Sequence, residues 1–395
     1  MVPIVGAMGA TPRAVPQPVT PRAFSCACGR PIFFNNSQCL ACSRPLGYDA
    51  ARGALLTLER VQTRAEKGGW REAGVPTRRA PRYGRCASLD TAAACNWLLD
   101  AAELQAGFTL CRCCRLTRTV PDLTQPDAGT WWNRIEQAKR RLVSSLLGLR
   151  LPVQAKAEVP DGLGLAFDLL LSPPEGPAVI TGHADGVITL DASEADDARR
   201  EQRRGQLGEP YRTLLGHLRH ETGHYYWQLL VEPTSWLEPV RALFGDDRED
   251  YAAALQRHYA NGAPADWGQR FVSAYASSHP WEDWAETWAH YLHLIDTLDT
   301  ARSFGLDGER VELTYERFGP EVLADSGDAD ASDFLRLINS WMELTGVLNE
   351  LSRSMGVADF YPFVLSQPAV RKLHLVHRVI HAAPAALTAA GAGPT

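Results

Sequence analysis

Five consecutive residues, His220-Glu221-Thr222-Gly223-His224, combine the side chains needed to hold a divalent metal and to move a proton beside it. On a helix, positions four apart share a face, so both imidazoles can grip one ion. Glu221 follows the first histidine and can reach a water on that ion without being a ligand. Zinc lowers the pKa of such a water toward ~7, and a neighbouring carboxylate can take its proton during attack. Thr222 and Gly223 are small and keep the face clear. The pattern is short enough to arise by chance, so the surrounding elements decide its meaning.

A metal on two histidines needs a third protein ligand. The segment 278–294 supplies acids at helical spacing, with Pro280 suited to the first helical position and His279 just before it. Glu282 and Glu286 are one turn apart. Glu282 is the expected zinc ligand, with Glu286 or Asp283 as alternatives. Glu286 can instead orient a histidine ligand by accepting its second N–H, and Ala285 lets two helices approach closely. The plain alternative is that Glu282 and Asp283 are first-turn acids facing the helix dipole and Glu286 is a solvated helix residue. Tyr275, seven residues before Glu282, can donate its hydroxyl to a developing oxyanion; a core tyrosine is the equal alternative. His217, His279, His290 and His293 read as structural or as supports of the ligand face. Trp281, Trp284, Trp288 and the trio Tyr225, Tyr226, Trp227 read as helix-packing core. No nucleophile elbow, dinucleotide fingerprint or phosphate loop is found.

All nine cysteines lie between Cys26 and Cys114. Cys26-x-Cys28 and Cys39-x-x-Cys42 form two short pairs with the turn residues Gly29, Pro31, Asn35 and Asn36 between them, the knuckles of a four-thiolate zinc site. Cys86, Cys95, Cys111 and Cys114 form a second, less regular set. Cys113 is left over and could replace Cys114. Without a leader of charged, apolar and small residues at the N-terminus, the expected compartment is the reducing cytoplasm, where clustered cysteines favour metal over disulfides.

Several elements must position these groups. Residues 130–149 read as a helix with Trp132, Ile135, Leu142, Leu146 and Leu149 largely on one face, stopped by Pro152. Val179-Ile180-Thr181 and Val187-Ile188-Thr189, separated by Gly182 and Gly186, read as a hairpin or two short strands. Such an edge just upstream of the histidine pair suits substrate held by strand addition. Residues 211–230, 332–355 and 366–381 read as further helices. Few strands and many helices give an α+β, helix-rich rear domain. At 395 residues the chain has room for two or three domains. Residues 1–150 carry 21 Lys/Arg against 10 Asp/Glu, and residues 151–395 carry 19 against 36. A basic front and an acidic rear suggest two domains with different partners, although each four-thiolate zinc site would add about −2 to the front. No run of about 18 apolar residues is present to span a membrane.

The chain resembles bacterial zinc-binding metallopeptidases that carry an N-terminal zinc-ribbon domain. The resemblance covers residues 24–381. It rests on Phe24-Ser25-Cys26-Ala27-Cys28-Gly29, Cys39-Leu40-Ala41-Cys42, Cys95-Asn96-Trp97 and the run Cys114-Arg115-Leu116-Thr117-Arg118-Thr119-Val120-Pro121. It continues with Glu136-Gln137-Ala138-Lys139-Arg140-Arg141-Leu142, the block around His220 and His224, the block from Glu282 to Leu292, and the stretch from Ser354 to Leu365. It implies a zinc peptidase with no substrate attached, and it favours Cys114 over Cys113 as a ligand. The two active-site motifs are also similar to those of anthrax-lethal-factor-type peptidases, in which a Glu-x-x-Ala-Glu helix supplies the third ligand and a tyrosine lies seven residues earlier, as Tyr275 does here.

The expectation is therefore a zinc-ribbon region over 23–125 with two four-cysteine zinc sites, and a zincin-like metallopeptidase domain over 130–381. Residues 1–22 and 382–395 are expected to be disordered. One catalytic zinc on His220, His224 and Glu282, with Glu221 as general base, would hydrolyse a protein or peptide substrate. The alternative is a binding module, or a protease recruited to nucleic acid such as DNA, in which the basic ribbon region contacts the nucleic acid or a protein partner.

Overall fold

The computed structural model describes residues 18–61, 69–76, 80–159, 162–173, 175–207 and 212–390. The cysteine-rich front is built from very short strands, because turns carrying ligands leave little room for longer ones. β1 (Phe24–Ser25) pairs antiparallel with β2 (Pro31–Ile32) around a turn closed by Gly29 at φ +83°. β3 (Leu46–Asp49), β4 (Ala54–Arg60) and β5 (Trp70–Glu72) form an antiparallel sheet. β6 (Gly84–Arg85) pairs with β7 (Leu98–Leu99), and the short α1 (Ala101–Gln105) follows with an Asp100/Glu103 capping box.

β8 (Thr117–Thr119) closes the front domain and also belongs to the rear one. After α2 (Ala128–Gly148), β9 (Ala166–Leu170) runs parallel to β8 on one side and to β11 (Val187–Asp191) on the other. β10 (Gly182–Ala184) pairs antiparallel with β11 as the outer strand, giving the order β10-β11-β9-β8. Asp185 and Gly186, both at positive φ, make the two-residue hairpin turn whose twist suits antiparallel strands. The hairpin is where the sequence places it, but its first strand starts at Gly182, since the turn fixes the register and leaves Val179 to Thr181 outside the ladder.

The rear domain is otherwise helical: α3 (Asp197–Leu207), α4 (Leu214–Tyr226), α5 (Leu237–Phe244), α6 (Tyr251–Asn261), α7 (Pro280–Ser303), α8 (Ala331–Ser354) and α9 (Gln367–Ala390). The molecule is thus mixed α+β, with a cysteine-bearing domain followed by a helix-rich one. α7 is its buried axis: Trp284, Trp288, Tyr291, Leu292 and Leu294 are inaccessible to solvent. The α4 helix passes into a π-helical turn over Trp227–Val231. No helix of the described residues is long and apolar enough to cross a membrane.

Of the two ends expected to be disordered, residues 18–22 and 382–390 are among the described residues. Arg22 is buried, with Nε 3.0 Å from Asp296 Oδ1 and its terminal nitrogens donating to Ser144 and Ser145 Oγ, while Val19 and Thr20 donate backbone N–H groups to Asp299. A buried guanidinium with a carboxylate partner anchors residues 18–22 against the rear domain, with Thr20 and Arg22 buried and Val19 exposed. At the other end α9 continues past His381 to Ala390, through an alanine-rich stretch of high helix propensity. Residues 1–17 and 391–395 lie outside the described residues.

The opposed charges of the two halves meet each other. Arg22 and Arg141 pair with Asp296, Arg115 with Glu158, Arg118 with Asp168 and Arg134 with Asp197. Part of the charge asymmetry in the sequence is therefore internal complementarity.

Candidate active site and metal centres

α4 starts at Thr213, whose hydroxyl caps it by accepting the N–H of Gly216 at 2.9 Å. α7 starts at His279, where Nδ1 accepts the Trp281 N–H at 3.0 Å and Nε2 donates to the Glu249 carbonyl at 3.2 Å. Trp284 Nε1 donates to the Gly223 carbonyl at 2.9 Å and fixes the crossing of the two helices. This crossing turns His220 and His224 of α4 toward Glu282 of α7.

Three atoms that could hold a metal ion converge. His220 Nε2 lies 3.2 Å from His224 Nε2 and 3.0 Å from Glu282 Oε2, and His224 Nε2 lies 3.5 Å from the same oxygen. A tetrahedral ion with arms of about 2.0–2.1 Å separates its ligands by roughly 3.3–3.4 Å, so the spacing is that of a zinc shell. Two further facts fit an ion. Glu282 is 1% exposed, and its Oε2 is buried with no hydrogen-bond partner among the described atoms. Its Oε1 is occupied, accepting the Tyr251 hydroxyl at 2.6 Å.

Neighbouring groups hold His220 and Glu282, whereas His224 Nδ1 is buried with no hydrogen-bond partner among the described atoms. His220 Nδ1 is 2.7 Å from Glu286 Oε1, and a carboxylate can only accept, so the hydrogen sits on Nδ1 and the Nε2 lone pair faces Glu282 and His224. Glu286 Oε2 accepts from Ser273 Oγ at 2.5 Å. Burial works against the Glu286 carboxylate, yet His220 and Ser273 outweigh it and hold its pKa down to about 2. Of the alternative third ligands, Glu286 thus faces the other ring nitrogen. Asp283 points to α9, where it meets Lys372 Nζ at 2.5 Å.

Glu221 is 5% exposed. Its Oε1 lies 3.4 Å from His217 Nε2, and its Oε2 has no described partner. His217 Nδ1 is in turn 2.8 Å from Glu194 Oε2. Burial opposes a charge on His217, but the carboxylates of Glu194 and Glu221 prevail and push its pKa up to about 9. Tyr275 sits in a single 3-10 turn before α7, half-buried, with its ring centroid 5.9 Å from that of His220. Burial pushes its phenol upward, so it is a hydrogen-bond donor at neutral pH. His290 bonds Tyr361 and His293 accepts from Arg219, both inside the core as the sequence suggests.

Three neighbours escape sequence reasoning. Trp281 is not core like Trp284 and Trp288; it is half-buried and covers His224 at a centroid distance of 3.8 Å, because it lies on the first turn of α7 beside the ligand. Tyr251 starts α6 and carries no local signal of its contact with Glu282. His183, on the outer strand β10, lies 6.3 Å from the His224 ring with its plane nearly parallel. Its Nε2 accepts the Gly186 N–H at 3.0 Å, and burial pushes its pKa down to about 4.

The cysteines form two groups: Cys26, Cys28, Cys39 and Cys42, and Cys86, Cys95, Cys111 and Cys114. Sulfur separations are 3.6 Å for Cys26 and Cys42, 3.8 Å for Cys28 and Cys39, and 3.7 Å for Cys95 and Cys111. Zinc–sulfur arms of about 2.3 Å give tetrahedral edges of roughly 3.8 Å. Cys113 lies outside the second group. Lys139 and Arg140 of α2 are buried beside this group, and Lys139 Nζ is 2.7 Å from Glu136. With Glu136 paired to Lys139, these three residues leave one net positive charge beside the group, which would offset part of the negative charge that four thiolates keep around a divalent ion.

With this geometry in place, the comparisons give a consistent answer. Residues 128–379 match the family described as putative zinc-binding metallo-peptidase, and residues 23–125 match a zinc-ribbon domain. The chain belongs to that metallopeptidase family. It is 42% identical over 361 residues to uncharacterized proteins of Mycobacterium bovis and of two Mycobacterium tuberculosis strains, covering 91% of this chain and 95% of each relative. No solved structure matches the chain, and the likeness to anthrax-lethal-factor-type peptidases stays confined to the two motifs.

Proposed function

We propose that the chain hydrolyses peptide bonds in a protein substrate, with one catalytic zinc on His220, His224 and Glu282 and two structural zincs on the cysteine groups. The convergence of two imidazole nitrogens and the unpartnered Glu282 oxygen within 3.0–3.5 Å carries this reading. Bound zinc supplies a Lewis acid for the scissile carbonyl and a water of lowered pKa. Glu286 holds His220 in the ligating tautomer, and Tyr251 holds Glu282 so that Oε2 stays free. Glu221 is the general base: His217 steadies its Oε1, and Oε2 accepts a proton from the attacking water and returns it to the leaving amine. Tyr275 donates to the carbonyl oxygen as it becomes an oxyanion. β10 is the outermost strand of its sheet among the described residues, with His183 beside His224, and its outer edge offers backbone groups to an extended peptide. Glu221→Gln in the full chain tests this. It should abolish cleavage of labelled casein while zinc content is unchanged; a variant that cleaves normally overturns the role of Glu221.

The front domain is proposed to bind a protein or nucleic-acid partner through its basic residues. Binding to duplex DNA that weakens steeply with salt would favour nucleic acid, and no binding at low salt would remove that option.

A further inference from the structure

A second histidine pair stands away from the candidate active site. His377 and His381, one turn apart on α9, lie with Asp330 so that one ligand atom of each falls within 4.8 Å of the others. We propose that these three residues form an additional metal site for a first-row divalent cation such as Zn2+, joining the start of α8 to the C-terminal helix.

His377 carries the argument. It is 4% exposed, and its Nδ1 lies 2.8 Å from the Tyr291 hydroxyl of α7. Its other ring nitrogen, Nε2, is buried with no hydrogen-bond partner among the described atoms. A buried ring nitrogen without a partner is costly. If Nδ1–H donates to Tyr291, Nε2 presents a lone pair, the arrangement in which an outer hydrogen bond fixes a histidine for metal. The His381 ring lies against it, with centroids 4.1 Å apart.

Asp330 adds a carboxylate that has no local employment. It occupies the cap position of α8, yet its side chain makes no capping bond, whereas Asp100 and Asp250 at the starts of α1 and α6 both do. Asp330 and His381 are exposed, so an ion can enter from solvent, the two ligands can close on it, and water can complete its shell. Two imidazoles and one carboxylate suit zinc and its neighbours in the first row better than calcium or magnesium, which take oxygen ligands. His374 stands nearby but outside this group: Nδ1 accepts the Ala324 N–H, and Nε2, also without a hydrogen-bond partner among the described atoms, lies 3.4 Å from Asp328. The contact with Tyr291 places the ion one side chain from α7, the helix that also bears Glu282.

Zn2+ is titrated into full-length protein already loaded at its tight sites. Wild type should take up one further equivalent, with a rise in Tm. His381→Ala and Asp330→Asn change exposed residues; each should weaken that uptake at least about tenfold, suppress the Zn2+-dependent rise, and leave Tm without added Zn2+ unchanged. No additional uptake by wild type overturns the site, as does unaltered uptake by the two variants.

Discussion

Gly223 and Ala285 meet at the crossing of α4 and α7, and a methyl group on Gly223 would come within 2.8 Å of the Ala285 Cα and 3.2 Å of its carbonyl oxygen. The obstacle is backbone, so it cannot rotate away. Gly223→Ala should therefore push the helices apart and cost about 1–3 kcal/mol. The expected fall in Tm is roughly 2–4 °C per kcal/mol for a unit of this size. Because the same crossing sets the Glu282 distance, zinc affinity at the histidine pair should fall with it. An unchanged Tm and zinc content in this variant would refute the close-contact argument.

Glu286 fixes the His220 ring from behind. Glu286→Gln keeps the shape but removes the negative charge that favours Nδ1–H. Zinc affinity at this site should drop by about 10–100-fold, measured by competition with a chelator, while the cysteine-bound ions stay in place. Equal affinity in variant and wild type would show that Glu286 does not tune the histidine.

Lys139 and Glu136 are buried together beneath the second cysteine group, and Lys139 also donates to Thr117 Oγ1. Lys139→Met leaves Glu136 without its cation and takes a positive charge from beside the thiolates. The expected loss is about 3–5 kcal/mol, visible in denaturant unfolding and accompanied by earlier zinc release from that group. A melting curve like that of wild type would contradict it.

Asp299 gives a pH dependence. Burial is the larger influence on its carboxyl and raises its pKa to about 6, against the two N–H groups of Val19 and Thr20 that favour the ionised form. A carboxyl whose pKa is higher folded than unfolded contributes stability below the unfolded value of about 3.8, and that contribution is lost as pH rises through about 6. Above pH 6 the ionised group is held at a cost on the order of 3 kcal/mol. Asp299→Asn carries no charge but keeps only one acceptor oxygen, so one of the N–H groups of Val19 and Thr20, which bond to different carboxylate oxygens, loses its acceptor at every pH. That loss is independent of pH, so the Tm of the variant relative to wild type should rise between pH 4 and pH 8; a difference that is constant or falls with pH would exclude this assignment.

The sequence announces the site better than its surroundings. The four-residue spacing of His220 and His224, the acids one turn apart after Pro280 and the clustered cysteines are local patterns imposed by helix geometry and ligand reach. β9 is not announced: its run Ala166-Phe167-Asp168-Leu169-Leu170 is apolar apart from Asp168, and a short buried strand of that kind is indistinguishable from a helical segment by periodicity. α5 and α6 are too short to show a sustained apolar stripe. Tyr251, His183 and Trp281 reach the histidine pair only through tertiary packing, and Arg22 finds Asp296 across 274 positions of chain. No local pattern encodes such meetings.

β8 has a consequence for how the two domains can exist. Thr117 to Thr119 lies before the matched peptidase region, yet it supplies the outer partner of β9, and Arg118 and Thr119 are both bonded to Asp168. A chain begun at residue 128 would leave β9 with an open, adhesive flank and Asp168 without its cation. The cysteine-bearing domain is in this respect the last plank of the rear domain's own floor, and the two domains should be expressed and unfold as one piece.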